Sequence, residues 1–73
     1  MYIKILEHGG CDSLQDIKLP VVVQGRKDPF GYFVDKNQFE NLPGFRADLL
    51  ERDLGLDETE FLFWTEECEI FKD

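Results

Sequence analysis

The side chains best suited to chemistry in this chain are one histidine and two cysteines: His8, Cys11 and Cys68. His8 with Cys11 three positions later is a spacing that metal-binding loops use. Structural zinc takes four ligands, however, and no CxxC or HxxxH pair completes the set, so no metal is expected. As base and nucleophile, His8 and Cys11 would share one glycine-flanked turn. They lack a third group to orient them and walls to enclose a substrate. The chain is therefore read as non-enzymatic and without a cofactor. Asp12, Asp16 and Asp28 miss the alternating ligand spacing of a calcium loop. Gly9-Gly10 lacks the following helix and lysine of a phosphate-cradling loop.

The stronger signal is electrostatic. The net charge is −8, and it is unevenly placed. Residues 1–47 carry six acids and six bases, whereas residues 48–73 carry ten acids and two bases. The whole excess lies in the last third. Such a chain does not bind nucleic acid directly, because phosphate contacts need Lys and Arg. It is equally unsuited to anionic membrane surfaces. A field of this sign favours a basic protein surface, met through fast, salt-dependent association.

The candidate binding residues are Asp48, Glu51, Asp53, Asp57, Glu58, Glu60, Trp64, Glu66, Glu67 and Glu69. If residues 58–67 are extended, Glu58, Glu60, Leu62, Trp64 and Glu66 point to one face. Phe61, Phe63, Thr65 and Glu67 point to the other. Carboxylates two residues apart on a strand are about 6.5–7 Å apart, a repeat comparable to that of phosphates along a nucleic-acid strand. The sharpest expectation is accordingly an inhibitor that imitates DNA toward a nucleic-acid-binding protein, of the kind phages and mobile elements encode. The plainer explanation is that the acids keep an apolar domain in solution. Trp64, rimmed by Glu60 and Glu66, has the character of a binding hot spot, while Phe61 and Phe63 are expected in the core. The alternative function is an assembly module that self-associates, as a homodimer, through Trp64 and an open sheet edge. Arg26-Lys27 reads as an ordinary solvated turn.

These residues need elements to position them. At 73 residues, with 42% hydrophobic and 14% aromatic content, the chain is expected to fold as one domain spanning 1–73. Met1 leads straight into an alternating run with no signal-peptide core, and no stretch spans a bilayer, which predicts a cytoplasmic, reduced protein. The period of two in Tyr2–Glu7 predicts a strand. Leu19–Gln24 predicts a second strand with Pro20 at its start. The turn residues of Arg26–Gly31 then lead into Tyr32–Asp35, so these two strands are expected to form a hairpin. Asp35 is placed to cap a helix near Lys36–Leu42 by accepting the Asn37 and Gln38 amides. Phe45, Leu49, Leu50 and Leu54 recur at helical spacing and predict a second helix, Phe45–Leu54, stopped by Gly55 before Leu56. Aromatic-rich Thr59–Thr65 is read as a last strand, pairing with the first, although Asp57 and Glu60 also form a helix-capping pattern. The fold class is α+β: a small antiparallel sheet of three to five strands, with one or two short helices packed on one face.

Overall fold

Ile3 and Ile5 are β-branched residues two apart, and an extended chain puts both on one face. The computed structural model, which describes residues 1–55 and 58–71, has a strand β1 at Tyr2–Ile5 with both isoleucines buried. Five more strands follow: β2 (Val21–Gln24), β3 (Arg26–Asp28), β4 (Gly31–Asp35), β5 (Glu60–Trp64) and β6 (Cys68–Ile70). Between them lie two short helices, α1 (Asn37–Glu40) and α2 (Leu50–Leu54), and 3-10 turns at Asp12–Leu14, Ala47–Leu49 and Thr65–Glu67. This is the α+β class. Among the described residues no helix is long and apolar enough to cross a membrane.

The strands form two antiparallel sheets of three, ordered β2–β1–β6 and β3–β4–β5. Only Gly25 separates β2 from β3, so one bent strand serves both sheets. The bend requires glycine there. A Cβ at residue 25 would lie 2.6 Å from Ile3 Cδ1 and 2.7 Å from the Phe33 carbonyl oxygen. At the other end, the turn Thr65–Glu67 carries the chain from β5 in one sheet to β6 in the other.

The two sheets and both helices share one core. Ile3, Ile5 and Val23 come from the first sheet, and Tyr32, Val34, Phe61 and Phe63 from the second. Phe39 of α1 and Leu54 of α2 join them. The Phe39 ring meets Phe61 edge-on, at 5.3 Å between centroids and 89° between planes, and lies 6.1 Å from Phe63. Burying each such ring is worth roughly 1.5–3 kcal/mol. Three of them form the centre of a core that a chain this short needs.

Several expectations change in detail. The turn chemistry of Arg26–Gly31 does make a hairpin, but between β3 and β4. β2 pairs instead with β1, in the other sheet. β1 stops at Ile5 because the Leu6 and Glu7 amides both turn to the Glu67 carbonyl, at 2.9 and 3.2 Å. Asp35 caps α1 by accepting the Asn37 amide at 2.9 Å. Gln38 instead turns its side-chain oxygen to the Gln24 amide at 3.0 Å, which satisfies an outer donor of β2.

The helix expected over Phe45–Leu54 is split into a 3-10 turn and α2. The Arg46 amide donates to the Ser13 carbonyl at 2.9 Å with Arg46 at φ −107°, ψ 87°, outside the helical region, so no helix begins at Phe45. The junction between the 3-10 turn and α2 falls at Leu49, at φ −103°, ψ 1°. The aromatic segment is the expected strand, but β5 pairs with β4, and it is β6 that pairs with β1. Leu56 and Asp57, expected as helix stop and cap, lie outside the described residues.

Candidate functional site

Directly opposed residues of antiparallel strands share a face, so the register fixes what each sheet surface presents. Across β3, β4 and β5 the rows are Arg26–Phe33–Leu62 and Asp28–Gly31–Trp64, with Asp35 opposite Glu60. Phe61 and Phe63 point the other way, into the core. The outer face of this sheet thus carries Arg26, Asp28, Phe33, Asp35, Glu60, Leu62 and Trp64. Glu60 and Trp64 share a face, as the period of two required. Gly31 is buried beneath this surface, and a Cβ there would run into the Phe63 carbonyl oxygen.

On this face the Arg26 guanidinium lies over the Phe33 ring, 4.6 Å from its centroid. It also forks onto Glu60, with Nε to Oε2 at 3.2 Å and Nη2 to Oε1 at 2.9 Å. A shallow groove of about 290 Å³ beside this pair runs between Gly25 and the amides of Asn37 and Gln38. Trp64, further along β5, is 50% exposed, and Phe30 in the adjoining β3–β4 turn is 70% exposed. Neither Phe30 nor the Phe33–Leu62 pair was singled out from the sequence. The alternation Arg26, Asp28 and then Gly31, Phe33 was the available signal, obscured because β3 is too charged to look like a strand.

The acids named as binding residues divide by what they already hold. Asp53 accepts the Asp12 and Ser13 amides, each at 2.9 Å, and the Ser13 hydroxyl as well. It therefore acts as the missing cap of the 3-10 turn Asp12–Leu14, whose own preceding residue, Cys11, gives no side-chain capping bond. Glu67 accepts the Trp64 amide at 2.8 Å and so fastens the turn that joins the sheets. Asp48 is chelated by Arg46 at 3.2 and 3.1 Å, and this guanidinium holds its carboxyl below the usual range. Glu69 faces Lys4 at 3.7 Å across β1 and β6.

Glu51, Glu58 and Glu66 are exposed and have no ion-pair partner among the described residues. Glu66 accepts the neighbouring Thr65 hydroxyl at 3.1 Å. Asp57 lies outside the described residues.

The extended run of carboxylates expected through residues 58–67 is interrupted. β5 ends at Trp64, and Glu66 and Glu67 sit in a 3-10 turn, where side chains no longer alternate. Leu54 of α2 belongs to the core cluster that holds Phe61 and Phe63. The helix is thereby on the inner side of β5, away from the Trp64 face, and carries Glu51 and Asp53 with it.

The groups considered for catalysis have structural surroundings. His8 Nε2 donates to the Ile17 carbonyl at 3.0 Å, tying the loop that follows β1. Burial, then the carboxylates of Asp53, Glu67 and Asp12, pushes the Cys11 thiol up to about 11. Cys68 is pushed to about 11 by burial and by Glu67. Both are neutral at physiological pH, the opposite of an activated nucleophile. Among the described residues no three His, Cys, Asp or Glu side chains converge to hold a metal ion. Compared with protein-family models, curated proteins and solved structures, the chain matches none of them.

Proposed function

We propose that this chain is a non-enzymatic interaction protein of the cytoplasm that binds a basic protein surface through its acidic C-terminal third, with Trp64 as the anchor. The observation that carries this reading is Trp64 itself. It is an indole half exposed on a sheet face beside Phe33 and Leu62, in a chain of net charge −8. Exposed tryptophans with a polar rim are the residues on which interface energy concentrates. Glu51, Glu58 and Glu66, which have no ion-pair partner among the described residues, supply the long-range field, and the paired acids add little to it.

The narrower reading, a DNA mimic that inhibits a nucleic-acid-binding protein, requires carboxylates at a regular repeat. Glu60 is committed to Arg26 and the strand ends at Trp64, so such a mimic would have to work through net charge instead of a phosphate-like ladder. The test is capture of partners from lysate on immobilised protein, with wild type compared against the Glu51→Lys, Glu58→Lys, Glu66→Lys triple variant. A basic protein retained by wild type, eluted by moderate salt and lost by the triple variant supports the proposal. Equal retention by both proteins overturns it.

A second reading, self-association, is favoured by the other sheet. Tyr2 and Val22 share the outer face of β1 and β2, both are exposed, and the Phe71 amide bonds to the Tyr2 carbonyl at 3.0 Å beside them. Light scattering across a concentration series reads this directly. A dimer that persists in high salt would favour it, and a monomer throughout would exclude it.

A further inference from the structure

We propose that the partner's basic surface engages this protein through an arginine side chain laid on the exposed indole of Trp64. The inference rests on the reading above and names the residue type recognised.

The chain itself shows what this sheet face accommodates. Arg26 lies over Phe33 at 4.6 Å and reaches Glu60 at 2.9 Å, so one guanidinium rests on an aromatic ring while hydrogen-bonding to a carboxylate. Two residues beyond Leu62, Trp64 repeats the aromatic half of that arrangement on the same face. No cation of the described residues lies over it. Asp28 stands in the same cross-strand row, its Oδ2 accepting the Phe30 amide at 3.2 Å, whereas Glu66 sits in the 3-10 turn beyond the end of the strand. Neither has an ion-pair partner among the described residues. The face therefore offers a ring and the Asp28 carboxylate to a cation from outside, and the chain's net charge draws such a cation in.

Arginine suits this seat better than lysine. Its guanidinium is planar, weakly hydrated and able to stack on a ring while hydrogen-bonding to a carboxylate, whereas an ammonium gives up more hydration for the same contact.

Trp64 is the only tryptophan, so its fluorescence reports the seat directly. The probes are three blocked peptides in which threonine alternates with arginine, lysine or glutamine. The expected result is a saturable change in Trp64 emission with the arginine peptide, binding about two- to fivefold weaker with lysine, and none with glutamine. Calorimetric titration of the arginine peptide should weaken at least about fivefold in Trp64→Ala and less in Trp64→Phe. Equal affinity for the arginine and lysine peptides, or unchanged calorimetric affinity in Trp64→Ala, overturns the arginine seat. If Trp64→Ala binds the arginine peptide normally while the Glu51, Glu58, Glu66 reversal does not, the acidic-surface reading stands and only the seat fails.

Discussion

Asp53 and Ser13, forty residues apart, are joined by two hydrogen bonds: the Ser13 amide reaches the Asp53 carboxylate at 2.9 Å, and its hydroxyl reaches the same oxygen. Ser13 is fully buried. Without the carboxylate, its amide and hydroxyl would be left unsatisfied in a place water does not reach, and the Asp12 amide would lose its acceptor. Asp53→Ala should therefore destabilise the fold by about 1–3 kcal/mol, measured by urea denaturation. Asp48→Ala, whose exposed carboxylate pairs with Arg46 and, among the described residues, accepts no backbone amide from another segment, should change stability by less than about 1 kcal/mol.

Trp64 and Phe63 are neighbours on β5 with opposite surroundings. Phe63 is fully buried against Phe39, so Phe63→Ala should cost about 3–5 kcal/mol and leave little folded protein. Trp64→Ala should cost about 1 kcal/mol or less, since half of its surface is already in water. Circular dichroism melts distinguish the two. A large loss in Trp64→Ala would mean that the indole supports the fold and is unavailable to a partner.

Gly25 and Gly31 should not tolerate alanine. At residue 25 a methyl meets Ile3 Cδ1 and the Phe33 carbonyl, and at residue 31 it meets the Phe63 carbonyl. Backbone oxygens cannot move aside as a flexible side chain does, so each substitution should cost at least about 1–3 kcal/mol. Chemical denaturation of Gly25→Ala and Gly31→Ala would check this, and wild-type stability in either would refute the close approach.

The buried thiol of Cys68 predicts a loss of stability in alkali. Burial and Glu67 raise its folded pKa from 9.0 to about 11, so between those values the unfolded chain has released a proton that the native state retains. The contribution is present below pH about 9 and declines as the pH rises toward 11. Cys11 is raised over the same range, so urea midpoints should fall with a slope that is shallower, though not abolished, in Cys68→Ser. Parallel slopes in the two proteins would remove the thiol as the cause.

What was legible in the sequence was the local periodicity. Ile3 and Ile5, and then Phe61, Phe63 and Trp64, declare strands and faces by alternation alone, and each lies on the side that alternation required. Arg26–Asp28 gave no such sign. An edge strand needs charge to discourage further pairing and has few inward positions to fill with apolar residues. The helix expected from Phe45 is cut back at its start, where the Arg46 amide bonds to the Ser13 carbonyl, a contact between segments far apart in the chain.

The acids of the candidate site were countable but not separable. Nothing local distinguishes Asp53, which caps a remote turn, from Glu51 two positions earlier, which has no ion-pair partner among the described residues. That distinction exists only once residues 12–13 and 50–54 have come together.

The pairing of Ile3 with Ile70 also has a kinetic side. Closing it joins strands near opposite ends of the chain, while β3 and β4 meet across the two-residue turn Pro29-Phe30. Because ordering a loop costs more as it lengthens, contacts of short separation are formed first and distant ones reward the chain late. The β3–β4 hairpin is thus expected to be structured in the folding transition state and β6 to dock after it. Substitutions in β6 should then speed unfolding, while leaving the folding rate nearly untouched.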